Sequence, residues 1–293
     1  MNVYKQTPTP NETPSLISDS LAKFESVLDA VDSDVKGGYL LAKEKCPTLC
    51  NDAFKLIFLR CEVFNVDRAV DRFVKYWNTR VEVFGEEKAC LEMSLDGAMK
   101  DDVTALQLQY LQVAKETDND GRAILLFDFN KEADEGVSSE SLLRVVWYQV
   151  HQALAMESVQ KQGVVVFVRC LDNMTDWRPS LSKKISQAGR GILPVRFAGM
   201  HFMQVSRRLS FGFSFINLMY YTPKLHLFAS LVQPPTFLYI IMRFVKPLVG
   251  KKLRHRFYTH SGSVDDLLES LHKFGLGSED KLPVNFGGSL AFD

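Results

Sequence analysis

Arg122-Ala-Ile-Leu-Leu-Phe-Asp-Phe129, then Ser138–Gln160, then Gly163-Val-Val-Val-Phe-Val168 is the stretch that decides the fold. The first segment is a short apolar run behind Asp118-Asn-Asp-Gly121, a turn signal, and reads as a strand. The second repeats Leu142, Leu143, Val146, Val150 and Leu154 at helical spacing. The third is short, β-branched and uninterrupted by charge, as a strand buried on both faces must be. Strand, helix and strand in this order imply an α/β fold with largely parallel pairing.

The same alternation continues on the C-terminal side. Ser180–Ala188 reads as a helix, 194–205 as a strand, 251–260 as ending in a further strand, and Val264–Phe274 as a helix. Asp265 and Asp266 lie in the first turn of that last helix, where they suit the helix dipole. On the N-terminal side the pattern is helical. Val66, Ala69, Val70, Phe73, Val74, Trp77 and Val81 form one face, with Asn65 a cap and Gly85 a stop. Val103–Ala114 is expected to be helical too. The expected organisation is a flexible Pro/Thr-rich tail over 1–14, a helical lobe over 15–110 and an α/β lobe over 111–293.

Charge is distributed unevenly. The chain of 293 residues balances 35 basic against 35 acidic groups, yet Trp177–Val264 contains 14 Lys/Arg and no Asp or Glu. A field of one sign attracts an anionic partner. This segment is also rich in aromatics from Phe197 to Phe257, so a lipid surface fits it better than a nucleic-acid duplex. A groove that stacks RNA bases would need those aromatics exposed, and they lie in apolar runs that should be buried. A membrane-spanning helix over 209–249 is not expected, because Pro234-Pro235 interrupt the second apolar run and Arg243 and Lys246 follow it. An interfacial helix or loop is expected instead. The first 13 residues show no apolar signal core, and the five cysteines have no framework spacing, which favours a reducing, cytoplasmic setting.

Catalytic patterns are weak. Cys46 and Cys50 are four apart, but no second pair completes a zinc site. The six histidines form no H-E-x-x-H, and the Ser214 surroundings lack the second glycine of a nucleophile elbow. No enzyme, metal or cofactor is expected. His151 reads as a satisfied histidine beside the apolar helix face.

Seven segments in order resemble the CRAL-TRIO family of lipid-transfer proteins, most closely its tocopherol and retinaldehyde branch. They are Phe58-Leu-Arg-Cys-Glu-Val-Phe-Asn-Val-Asp-Arg-Ala69, Asp120-Gly-Arg122, Gly163-Val-Val-Val-Phe167 and Ser182-Lys-Lys-Ile185. After these come Leu193-Pro-Val-Arg196 with Met200-His201, then Lys246-Pro247-Leu248, and finally Leu282-Pro-Val-Asn-Phe-Gly-Gly288. The resemblance implies a helical lobe, an α/β lobe enclosing a hydrophobic cavity, a helical lid and no catalysis. It assigns the ligand-binding wall to Leu143, Val146, Val150, Val164, Val166, Val168, Ile185, Ala188, Leu193, Phe197 and Met200. It assigns contact with an anionic, phosphoinositide-containing membrane to Arg196 and Arg256 together with Lys252. Lys246 joins them through the basic run Lys246–Arg256. Arg169 and Gln204-Val-Ser206 depart from the family pattern, and about thirty extra residues lie between Ser206 and Lys246.

The expectation is therefore a peripherally membrane-associated carrier of a hydrophobic lipid, without a transmembrane span or nucleic-acid partner. The rival is a scaffold with the same fold and a filled cavity, binding a protein through the apolar insert 207–245.

Overall fold

The computed structural model describes residues 4, 6–133, 136–169, 178–205, 255–276, 280 and 288–289. The insert 207–245, Lys246, Lys252 and most of the closing Leu282–Gly288 motif lie outside these residues.

Five strands form one sheet in sequence order: β1 (Leu111–Thr117), β2 (Ala123–Asp128), β3 (Val164–Arg169), β4 (Phe197–Val205) and β5 (Phe257–Gly262). β1 is antiparallel to β2, and the remaining neighbours are parallel. The α/β class with a mixed, largely parallel sheet is thus observed. β1 lies where the sequence suggested helix. A helix, α5 (Val103–Gln107), does begin there, but Leu111 onward pairs with β2. The sequence Leu111-Gln-Val-Ala-Lys-Glu-Thr117 is half polar because this edge strand is only partly covered: Leu111 and Ala114 are buried, whereas Lys115 and Glu116 are exposed.

Period-2 alternation sends β3 in two directions. Val164, Val166 and Val168 belong to a large cluster with Ala123, Leu125 and Phe127 of β2. Val165 and Phe167 belong to a second cluster with Ile124, Leu126, Ala198 and Met203. All five apolar residues of β3 are at most 2% exposed.

The first face is covered by α6 (Ser139–Leu154) and α8 (Pro179–Gly191). Ser138 caps α6 by accepting from the Ser141 amide at 3.0 Å. The expected single helix 138–160 is two, because the turn at Ala155–Met156 starts the separate α7 (Glu157–Gln162). Behind α6 stands the helical lobe: α1 (Pro14–Asp29), α2 (Gly37–Lys45), α3 (Asp52–Cys61) and α4 (Val66–Ala89). Asn65 caps α4, accepting from the Arg68 amide at 3.1 Å. The helix does not stop at Gly85. That residue takes φ 75°, which kinks the helix and lets it run on to Ala89. An aromatic lattice of Phe24, Phe54, Phe58, Phe73, Tyr76 and Trp77, mostly edge-to-face, fills the lobe.

The second face carries α9 (Val264–His272), closed by a capping box between Ser263 and Asp266. It also carries the N-terminal segment. Composition suggested a flexible tail, yet Tyr4 is 2% exposed. Its ring stacks on Phe274 and lies under the Arg122 guanidinium, 4.7 Å from the centroid. Glu12 accepts a bidentate pair from Arg60 of α3 at 2.9 and 2.7 Å. Between these two anchors Gln6 donates to the Gln162 carbonyl at 3.2 Å and the Thr7 carbonyl accepts from Arg196 at 2.5 Å.

Tyr4 opens a hydrogen-bonded chain: its hydroxyl to His201 Nε2 (2.9 Å), His201 Nδ1 to His260 Nε2 (2.9 Å), and His260 Nδ1 to Ser270 Oγ (2.7 Å). Ser270 donates to the Leu267 carbonyl at 2.8 Å. That last bond leaves Ser270 Oγ to accept from His260 Nδ1–H. Each further bond then runs the same way back to the Tyr4 hydroxyl, with both imidazoles neutral. Burial, with Lys273 adding to it, lowers His260 to about 4. Burial, then His260 and Lys273, hold His201 well below its ordinary value.

Two outcomes follow. Gly163 combines φ 85° with ψ −150°, and a Cβ there would collide with the Arg196 carbonyl that accepts the Val164 amide at 2.8 Å. Gly163→Ala should lower the unfolding free energy by about 1–3 kcal/mol in urea titrations. The neutral histidines make the unfolded chain the better proton acceptor. The stability they support is present above about pH 6.5 and is lost as pH falls toward about 4. The urea midpoint should drop across that window, and less so in a His201→Gln/His260→Gln double variant; an equal drop in both would assign the effect to other groups.

Candidate functional site

All eleven residues expected to form a ligand wall fall in the first-face cluster. Leu143, Val146, Val150, Val164, Val166, Val168, Ala188 and Leu193 are buried in it, and Ile185, Phe197 and Met200 pack partly buried against it. Register explains the strand members: Val164 pairs with Phe197 and Val166 with Met200, so all four point to one side. Helical spacing explains Leu143, Val146 and Val150 on α6 and Ile185 with Ala188 on α8.

At the edge of this cluster α4, α6 and α8 leave a half-open cleft of about 510 Å³. Leu143 and Ala188 of the expected wall line it, with Val83, Trp147 and Ile192 adding apolar surface. Thr79, Glu82, Glu140, Lys184 and Gln187 form its polar edge. The α4 residues were missed by the sequence reading, since packing between the lobes leaves no local signal. Trp147 was within reach, being four residues after Leu143 on the same helix face. The Trp147 indole N–H is buried and without a hydrogen-bond partner among the described residues.

His151 sits one turn after Trp147. Its Nε2 meets the Tyr76 hydroxyl at 2.8 Å, and Tyr76 in turn accepts from Arg80 at 2.8 Å. Burial and the Arg80 charge lower His151 to about 3, so it stays neutral beside the wall. Burial raises the thiols of Cys46 to about 12 and of Cys50 to about 11. Among the described residues no group of three His, Cys, Asp or Glu is placed to hold a metal.

Of the four residues assigned to membrane contact, Arg196 and Arg256 are described. Both are half-buried and bonded to backbone carbonyls: Arg196 to Lys161 (2.6 Å) and Thr7 (2.5 Å), Arg256 to Phe197 (2.6 Å). They stand at the starts of β4 and β5. Arg169, which departs from the family pattern, pairs with Asp128 on the neighbouring strand at 3.1 Å. Among the described residues no helix is long and apolar enough to cross a membrane.

Comparison with known proteins gives the arrangement its relatives. Alpha-tocopherol transfer protein-like from Homo sapiens is 22% identical over 302 residues, covering 97% of this chain and 75% of that protein. Clavesin-1 from Xenopus laevis is 24% identical over 255 residues, covering 82% of this chain and 61% of its own length. The chain is similar to the CRAL-TRIO family. Clavesin-1 from Mus musculus matches at 22% over 96% of the chain and 66% of its own length. No family model matches the chain. The CRAL-TRIO likeness therefore rests on whole-length similarity together with the α/β sheet and helical lobe described above.

The cleft edge is held loosely. Lys184 meets Glu140 at 3.4 Å with side chains 49% and 60% exposed, so the pair contributes little. Lys184→Ala should change the unfolding free energy by no more than about 0.5 kcal/mol in urea titrations.

Proposed function

We propose that this chain binds one hydrophobic lipid against the first face of the sheet and transfers or presents it at anionic membranes. One observation supports the reading: a half-open cleft between α4, α6 and α8 whose lining includes Leu143 and Ala188 of the expected wall together with Val83, Trp147 and Ile192. The similarity to proteins named for tocopherol transfer supports the same class of cargo. Burial of apolar ligand surface, at about 25 cal/mol per Å², drives uptake. The chain's own residues then act by shape and exclusion of water, with no chemical step, so the protein is a carrier rather than a catalyst. The helical lobe 15–110 forms one wall of the cleft and the α/β lobe 111–293 the other.

Membrane docking belongs to the acid-free segment. Arg196, Lys246, Lys252 and Arg256 supply the positive charge, each worth about 1 kcal/mol near an anionic leaflet. A lid within 209–248 moves into the interface, and docking provides the differential interaction that favours its open form. The location implied is cytoplasmic with peripheral membrane association.

The test is lipid mass spectrometry on organic extracts of protein purified from eukaryotic cells. One dominant lipid near one per protein is expected. No enriched lipid, together with no uptake of a fluorescent lipid, would replace the carrier with the scaffold binding through 207–245. Gln187→Trp, an exposed substitution at the cleft wall, should cut fluorescent-lipid uptake several-fold while leaving the urea midpoint in place. Lys252→Glu/Arg256→Glu should reduce sedimentation with phosphoinositide vesicles; unchanged binding and transfer would remove the docking assignment.

A further inference from the structure

Thr7-Pro8, Thr9-Pro10 and Thr13-Pro14 place three Thr-Pro steps within eight residues. Residues 6–13 carry no helix or strand, and Thr7, Pro8, Pro10, Asn11 and Thr13 are exposed. A residue before proline is biased to extended backbone, the form in which a kinase cleft takes its substrate. The three hydroxyls differ. Thr13 caps α1, accepting from the Leu16 amide at 3.2 Å and meeting Ser15 Oγ at 3.1 Å. No side-chain hydrogen bond engages Thr7 or Thr9 among the described residues.

Thr7 and Thr9 also line a second cleft of about 350 Å³, with Gln6, Pro8, Asp120, Arg122, Gln162 and Arg196. Its two cations differ. Arg122 is paired with Asp118 at 2.6 Å and Asp120 at 2.5 Å. Arg196 is bonded to the Lys161 and Thr7 carbonyls and forms no ion pair with a carboxylate among the described residues. Glu62, whose charge reaches Arg196, is already shared by Arg68 and Arg72. Glu12, farther along this N-terminal strap of residues 6–13, is taken by Arg60 and Lys161. The cleft thus holds a guanidinium lacking a counter-anion beside two hydroxyls in proline-directed context.

We infer that Thr7 and Thr9 are phosphorylation sites for a proline-directed serine/threonine kinase, and that Arg196 binds the resulting phosphate. In the transfer the threonine Oγ1 bonds to the γ-phosphorus of ATP as the bond to ADP breaks. The hydroxyl proton leaves to the kinase's base, and ADP departs. The product adds nearly two negative charges and three acceptor oxygens. A planar guanidinium takes such a group bidentately. Phosphorylation therefore fastens the strap to the start of β4. The inference needs no bound lipid, but it draws on Arg196, one of the four cations of the docking proposal.

The full chain is incubated with a proline-directed kinase and ATP, and sites are mapped by tandem mass spectrometry. Phosphate on Thr7 or Thr9 is expected. Phosphate confined to Thr13, or absent from the segment, overturns the assignment. The second ionisation of the phosphate is then followed by phosphorus NMR against a free phosphopeptide spanning 4–14. An adjacent guanidinium should move it about 0.5 or more below the peptide's value near about 6. Arg196→Gln should restore the peptide value. An intact protein that titrates like the peptide overturns the role of Arg196, whether or not the variant folds.

Discussion

The structure depends on the double burial of β3. A strand covered on both faces has no water for its backbone, so its amides and carbonyls must be satisfied by β2 and β4. Its valines and Phe167, like the alternating residues of β2 on one side, contribute to both clusters. One cluster brings α6, α8 and the helical lobe onto the sheet, and the other brings α9 and Tyr4. Gly163 is where this arrangement is tightest: its carbonyl accepts from Ala123, the first residue of β2, while the Arg196 carbonyl accepts from Val164, the first residue of β3.

The β2–α6–β3 core was legible because its elements are apolar runs separated by turn residues. The capped start of α4 was legible for the same reason, Asn65 standing just before a helical stripe. What escaped depended on partners distant in sequence. β1 is polar enough to pass for a weak helix until β2 supplies its hydrogen bonds. The segment 4–13 looks like a tail because its anchors, Tyr4 and Glu12, are single residues whose partners lie 48 to 197 positions away. The proposed ligand wall comes from the family resemblance, and periodicity shows why its members share one apolar cluster. The α4 side of the cleft was not found, since nothing in Thr79 or Val83 announces a neighbour on α8.

The acid-free segment has a structural counterpart. Arg178 is bonded to the Val137 carbonyl, Arg190 to Ser186, Arg196 to Lys161 and Thr7, and Arg256 to Phe197. Peptide dipoles, rather than carboxylates, are the hydrogen-bond acceptors of Arg190, Arg196 and Arg256 among the described residues. A dipole leaves net charge unneutralised, so the positive field survives the hydrogen bonding that fixes each side chain. Orientation and long-range attraction are therefore supplied by the same groups.

Arg72 gives the cleft its mechanics. Anchored on α4 and paired with Glu62, it donates to the carbonyls of Leu193 and Arg190 just beyond and at the end of α8, at 2.8 and 3.4 Å. One end of α8 is thereby lashed to the helical lobe. The start of α8 near Arg178 has a different tether, the Val137 carbonyl before α6. Arg72 thus rivets the end of α8 to α4. Across the same cleft Arg144 of α6 donates to the Val83 carbonyl of α4 at 3.4 Å, so the cleft is braced on its α6 side as well as its α8 side.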